Sequence, residues 1–297
     1  MKLMIMKFFR SISLFIFAAL LSFTAVSCSD SGLTDTDTEN GNVAVGNAPS
    51  TLKVILTDAP GDYESVFIDI REVKVRRVDS TETDSTESDS TENHEEWVTV
   101  SQEPVRVDLL TLQNGNTLIL GETELEPGTY DQMRLILGDD NEVVVDGQGY
   151  YLKTPSAQQS GLKLKLNAEI EEGTSYSLLV DFDASRSIVE TGKGKNPNFS
   201  YLLKPVLRAV NLQETGSISG VVVPNDFTTS VYTVVNEDTI GTTTGDEGEF
   251  QILGLGEGFY DLNFEPDSSG FQDTTITGIE VFSGEDTAID TVRLSEN

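Results

Sequence analysis

The sequence predicts an all-β, mainly antiparallel protein: a β-rich N-terminal domain and a small C-terminal β-sandwich, preceded by a signal peptide and an acidic tether. Three observations carry this. Apolar and polar residues alternate at period two, as at Leu52, Val54 and Leu56 and again at Leu162, Leu164 and Leu166, which is the pattern of a half-buried strand. Turn-forming clusters punctuate these runs, among them Asp58-Ala59-Pro60-Gly61-Asp62 and Asp146-Gly147-Gln148-Gly149. The chain of 297 residues is long for a single core and suits two domains.

The first 27 residues read as a targeting segment. Lys2, Lys7 and Arg10 give a positive start, Ile12 to Phe23 is an apolar run, and Ala25-Val26-Ser27-Cys28 reads as a lipobox. The run is too short for a comfortable transmembrane helix. Cys28 would then carry a diacylglyceryl thioether, with cleavage just before it. It is the only cysteine, so an intrachain disulfide and a Cys/His metal cluster are both excluded. Residues 28–50 are rich in Ser, Thr, Asp, Gly and Asn and form a flexible tether. Its acidic residues begin at Asp30, close behind the lipid site, as in surface-exported lipoproteins; a plain spacer explains them equally well.

The charge balance is extreme, with 50 acidic residues against 19 basic ones and a net charge of −31. Such a chain repels phosphates, so nucleic acid is not expected as a partner. It also avoids anionic membrane surfaces, which makes a covalent lipid a sensible attachment. Solubility alone accounts for the charge.

Residues 51–212 form the first domain. Its opening strand ends in the Asp58–Asp62 turn. Val66, Ile68 and Ile70 make one stripe, and Val73 and Val75 continue it shifted by one position across Arg71-Glu72, as a β-bulge would produce. Residues 79–96 break the pattern with an acidic pentad repeat, from Ser80-Thr81-Glu82-Thr83-Asp84 to Ser90-Thr91-Glu92-Asn93-His94. This predicts a disordered insert, with a strand resuming at Trp97. Further strands are expected at Val105–Val107, Tyr130–Leu137, Val143–Val145, Tyr150–Leu152, Leu162–Leu166, Ser177–Phe182 and Tyr201–Val210. Asp108–Leu112 and Ala184–Val189 are candidate helical turns. Residues 213–297 form the second domain. Strands are expected at Ile218–Val222, after the turn Gly245-Asp246-Glu247-Gly248, and around Leu262 and Phe264.

Several first-domain motifs together resemble a lipoprotein family catalogued as domain of unknown function 4382. They are Leu56-Thr57-Asp58-Ala59-Pro60-Gly61-Asp62-Tyr63, Pro127-Gly128-Thr129-Tyr130 with Arg134-Leu135-Ile136-Leu137, Gln159-Ser160-Gly161-Leu162-Lys163, Asp181-Phe182-Asp183, and Leu203-Lys204-Pro205-Val206. The resemblance implies a secreted or lipid-anchored β domain and no activity. The second domain is similar to carboxypeptidase regulatory-like modules, which are transthyretin-like or carbohydrate-binding-like β-sandwiches. The residues concerned are Gly216-Ser217-Ile218-Ser219-Gly220-Val221-Val222, Thr244-Gly245-Asp246-Glu247-Gly248-Glu249-Phe250 and Gly254-Leu255-Gly256-Glu257-Gly258-Phe259-Tyr260. That resemblance implies an accessory or binding unit without catalytic residues.

The chemical inventory points away from catalysis. His94, the only histidine, lies in the low-complexity insert, where nothing holds it against a serine. Asp181 and Asp183 share one strand face, at a spacing comparable to that of a glycosidase pair; a polar strand end explains them as well. Asp58 with Asp62, and Asp139 with Asp140, are candidate oxygen ligands for Ca²⁺, although turn chemistry accounts for the same residues. The EF-hand-like run from Asp35 has Asn40 where glycine is needed. Trp97, Tyr150 and Tyr151 are candidate carbohydrate contacts, and one of the adjacent tyrosines should be exposed and the other buried. No organic cofactor is expected. The expected function is a non-catalytic cell-envelope lipoprotein, anchored to the outer membrane and displayed at the surface, acting as a binding or adhesion module with the C-terminal sandwich binding carbohydrate. The alternatives are a scaffold or accessory subunit for an envelope protein and, less favoured, a carboxylate-dependent glycoside hydrolase.

Overall fold

The structure, a computed structural model, describes residues 49–61, 63–78, 96–154, 161–191 and 201–297. The signal peptide, Cys28, nearly all of the tether, Asp62 and residues 79–95 with His94 lie outside the described residues.

The first domain is built from β1 (Ser50–Ala59), β2 (Ser65–Arg77), β3 (Glu96–Ser101), β4 (Val105–Asp108), β5 (Leu118–Leu125), β6 (Gly128–Leu137), β7 (Glu142–Val145), β8 (Gln148–Lys153), β9 (Leu162–Ile170), β10 (Ser175–Asp183), the one-turn helix α1 (Ala184–Ser187), β11 (Ile188–Glu190), β12 (Tyr201–Leu203) and β13 (Leu207–Asn211). A four-stranded sheet runs β13-β10-β1-β5, and a nine-stranded sheet runs β11-β12-β8-β7-β2-β6-β9 with β3 and β4 also on β2. One core fills the space between them. It includes Leu52, Val54 and Leu56 of β1, Val66, Ile68, Ile70, Val73 and Val75 of β2, and Met133 and Leu135 of β6. Each such side chain, once fully buried, contributes about 1.5–3 kcal/mol.

The β2–β6 register shifts between Ile70 and Glu72, where the stripe changes phase. Asp146 and Gly147 join β7 to β8 with φ of 51° and 71°, the backbone of a two-residue hairpin turn with both angles positive. Leu109–Leu112 is a 3₁₀ turn capped by Asp108, and helix α1 stops at Ser187, so the expected turn to Val189 is shorter. Glu96, expected as the last residue of the insert, already belongs to β3. The single strand expected over Tyr201–Val210 is two strands in different sheets, β12 beside β8 and β13 beside β10. Pro205 lies between them and has no N–H to offer a ladder. Pairing is mainly antiparallel, but β1 runs parallel to β10.

The second domain contains β14 (Thr215–Val223), β15 (Thr229–Val235), β16 (Asp238–Thr243), β17 (Glu249–Gly256), β18 (Gly258–Pro266), β19 (Thr274–Val281), β20 (Asp286–Ala288) and β21 (Val292–Arg293). One sheet pairs β17-β14-β20 with β21 also on β14; the other runs β16-β15-β18-β19. Their facing side chains make a second core that includes Ile218, Val222, Phe250, Ile252, Leu262 and Phe264. Tyr260 packs at its margin. The two cores are distinct, yet Gly46–Asn297 forms one compact unit.

Candidate functional site

The parallel pairing of β1 with β10 sets Thr57 opposite Asp181 and Ala59 opposite Asp183. Two motifs more than 120 residues apart in sequence therefore share one sheet end. Side chains alternate on β10, so Leu178, Val180 and Phe182 enter the first core while Leu179, Asp181 and Asp183 belong to the opposite face. The second domain covers part of that opposite face. Leu179 is fully buried and meets Gly254, where a Cβ would lie 3.0 Å from both Leu179 Cδ2 and Val210 Cγ2. A second close approach is at Gly115, with φ +73° and a would-be Cβ only 2.3 Å from Gln251 Oε1. The positive φ favours glycine there, and the small residue leaves room for the Gln251 side chain.

Hydrogen bonds complete this seam. The backbone N–H of Asn114 donates to Thr242 Oγ1 at 2.6 Å, and Thr243 Oγ1 donates to Gln113 Oε1 at 2.6 Å. Arg208 donates to Gly254 O at 2.7 Å and to Asp181 Oδ2 at 2.9 Å. Arg186 bonds Asp238 at 2.9 Å.

The three aspartates at the seam have separate tasks. Asp58 accepts from Gln113 Nε2 at 3.2 Å and from the Ala184 N–H at 3.1 Å. Burial pushes its carboxyl well above the usual range; Gln113 and Ala184 oppose that, and the charges of Asp181 and Asp183 add to it. Burial also raises Asp181, against the pull of Arg208. Asp181 Oδ1 has no hydrogen-bond partner, and the residue borders a void of about 10 Å³ also lined by Thr57, Asp58, Thr242 and Gln251. Asp183 caps α1, accepting from the Arg186 N–H at 2.8 Å and from Ser185 Oγ at 2.9 Å.

Where the seam opens, two adjoining depressions of about 530 Å³ and 610 Å³ share Tyr63 and Asp267. The first is lined by Gln113, Ser230, Thr243 and Glu265 as well, and the second by Glu64 and Asp146. Glu64 is held in place by the Gly147 N–H at 3.0 Å. Tyr63 and the Asp146 turn were visible in the sequence; their meeting with Glu265 and Asp267 of the second domain was not.

The remaining sequence candidates are dispersed. Asp139 and Asp140 are exposed, and Asp140 pairs with Arg106 at 3.2 Å. Their turn is organised by the buried Asn141, which accepts from the Asp69 N–H at 2.8 Å and donates to Gly138 O at 2.8 Å. Among the described residues, no group of three or more His, Cys, Asp and Glu is arranged to hold a metal ion. Tyr150 is half-buried, its ring 5.1 Å from that of Tyr201, whereas Tyr151 is exposed. Trp97 has the Arg134 guanidinium 3.9 Å from its ring centre, so it is not a bare platform. Phe259, 72% exposed, was not singled out in the sequence, where it reads like its core neighbours.

The family profile described as "Domain of unknown function (DUF4382)" matches residues 49–205, just over half of the chain. The chain belongs to this family. The DUF4382 match stops before β13, although that strand completes the sheet through its pairing with β10. No curated protein matches the sequence. Among solved structures, the chain is similar to the Bacillus anthracis TIE protein, at 13% identity and a TM-score of 0.19 over 83% of this chain and 34% of that one. It thus spans about a third of the length of that protein. It is also similar to the minor pilin of Streptococcus agalactiae, at 12% identity and a TM-score of 0.20 over 84% and 96% of the two chains. A third likeness is to a C-terminal fragment of the pilus adhesin SpaC from Lactobacillus rhamnosus GG, at 9% identity and a TM-score of 0.20 over 83% and 97%.

Proposed function

We propose that this DUF4382 protein is a non-catalytic cell-envelope lipoprotein, anchored to the outer membrane through Cys28, that binds carbohydrate along the seam between its two β domains. The observation that carries the reading is the pair of adjoining depressions centred on Tyr63 and Asp267. Their size suits a small ligand. The carboxylates and hydroxyls around them accept and donate hydrogen bonds as sugar hydroxyls require, beside one aromatic ring. The non-catalytic part rests on the seam aspartates. A glycosidase needs a proton donor and a second carboxylate flanking the bond to be cleaved. Here Asp181 is paired with Arg208 and Asp183 caps a helix, neither of them lining the depressions, and Glu64, which does, is held by the Gly147 N–H.

The test is a glycan array probed with the full chain. Binding to a subset of neutral glycans, lost in Tyr63→Ala and reduced in Asp267→Asn without product release, is expected. Binding to no glycan, or hydrolysis of a bound one, would overturn the reading. Anchoring is tested separately by metabolic labelling with a palmitate analogue. Wild type should label and Cys28→Ser should not; equal labelling of both removes the lipid anchor from the proposal. A scaffold that holds a protein partner is the second reading, favoured by Phe259 and Phe282, which are 72% and 44% exposed on the second domain.

A further inference from the structure

One patch on the outer face of the nine-stranded sheet, across β3, β2, β6 and β9, is rich in cations in an otherwise acidic chain. Strand register sets four side chains side by side, Thr99 of β3, Lys74 of β2, Arg134 of β6 and Lys163 of β9. Two residues further along, a second row holds Trp97, Arg76, Gln132 and Lys165. The alternate residues Val75, Met133 and Leu164 are buried in the core, so both rows face outward. Five of the chain's 19 lysines and arginines thus gather on one face of a molecule with net charge −31. Strand spacing makes the array about 14 Å across and about 7 Å between rows.

Local pairing cancels part of this charge and leaves the two lysines of β9. Glu72 holds Lys74 at 2.9 Å, and Asp131 holds Arg76 through bonds of 2.9 and 2.7 Å. Lys163 and Lys165 are exposed and make no ion pair among the described residues. Arg134 lies 3.9 Å from the Trp97 ring centre and Arg76 lies 5.8 Å from it. That cation–π geometry holds the guanidinium of Arg134 in place over the sheet. Lysines on an edge strand such as β9 also discourage edge pairing, but that role does not explain the matching cations on β2 and β6, which are interior strands.

We infer that this face binds an anionic polysaccharide, its carboxylate or sulfate groups paired with Arg134, Lys163 and Lys165 and its hydroxyls bonded to Gln132 and Thr99. The neutral amide and hydroxyl interleaved with the cations favour a sugar over a simple polyanion. Nucleic acid is disfavoured because duplex DNA carries a charge every ~1.7 Å, which the acidic remainder of the molecule would repel. This site is separate from the seam depressions, and its ligand is of the opposite electrostatic kind.

The test is affinity electrophoresis of the full chain in non-ionic detergent through gels containing polygalacturonate, dextran or a single-stranded oligonucleotide. Polygalacturonate should retard the protein in a salt-sensitive way and shift the emission of Trp97, the only tryptophan. The double variant Lys163→Gln/Lys165→Gln should weaken retardation by roughly twofold to tenfold with an unchanged unfolding midpoint. Lys53→Gln, on the other sheet and paired with Glu122, should behave as wild type. No retardation by polygalacturonate, equal retardation of the double variant, or stronger retardation by dextran or by the oligonucleotide would overturn the inference. The seam reading is unaffected by any of these outcomes, since it is judged on neutral glycans and on Tyr63.

Discussion

Replacing Arg208 with alanine is expected to cost about 3 kcal/mol of stability at neutral pH and progressively less as the pH falls. The guanidinium is bonded to Asp181 and to Gly254 O across the seam. Removing one partner of a buried ion pair costs about 3–5 kcal/mol because the other charge is left uncompensated. Arg208 is about a quarter exposed, which places the expected loss at the lower end.

The pH dependence follows from the sign of the shift. Burial raises the folded-state pKa of Asp181 above its unfolded value, and Arg208 opposes the rise. A raised carboxyl favours the folded state most below the unfolded pKa, and that contribution is lost as the pH climbs through the folded one. Without Arg208 the folded value rises further, so the alkaline side of the profile suffers more. Below the unfolded range, near pH 3, the carboxyl is neutral in both states. There the substitution costs only the bond to Gly254 O, about 1 kcal/mol. Denaturant midpoints of wild type and variant, compared from pH 4 to pH 8, give the difference directly. Asp181→Asn in the Arg208→Ala background should recover most of the neutral-pH loss. An equal loss at pH 4 and pH 8 would mean that packing of the Arg208 stem, rather than its charge, holds the seam.

The seam also shows where sequence reading stops. Period-two stripes revealed the strands with a clean buried face, such as Leu52-Val54-Leu56, because alternation is a local property. β5 escaped notice because it lies at a sheet edge, with Ile119 exposed and Leu120 buried, so its apolar residues fall on both faces. Asp58, Asp181 and Asp183 were each visible as polar residues at strand ends. Their convergence depends on the parallel β1–β10 pairing, a long-range choice that no short window contains. The cation array is hidden for the same reason. Lys74, Arg76, Arg134, Lys163 and Lys165 are ordinary outward residues on three strands, and only the register makes neighbours of them. Trp97 read as a lone aromatic for the same reason, since Arg134 reaches it from a strand more than thirty residues away.

Phe250→Ala is expected to cost about 3–5 kcal/mol, the loss typical of deleting a large buried ring. Phe250 is 2% exposed and packs edge-on against Phe264, with ring centres 5.6 Å apart. A further neighbour is Gly220 of β14, where even a methyl group would lie 2.8 Å from the ring. Glycine has no side chain to fill the space the ring would vacate, so a cavity remains. The loss should fall on the second core alone. Among the described residues the two cores meet through hydrogen bonds and ion pairs and through the Leu179–Gly254 and Gly115–Gln251 contacts, not through a shared apolar cluster. Trp97, in the first domain, is the only tryptophan and reports on that domain, whereas far-ultraviolet circular dichroism reports on both. In urea, the variant should show an early dichroism transition from the second sandwich while the Trp97 fluorescence midpoint stays near that of wild type. If the fluorescence midpoint moves with the dichroism, the two cores unfold as one cooperative unit and the seam transmits stability between them. If neither midpoint moves, the Phe250 ring is not part of a core, and the placement of β17 against β14 is wrong.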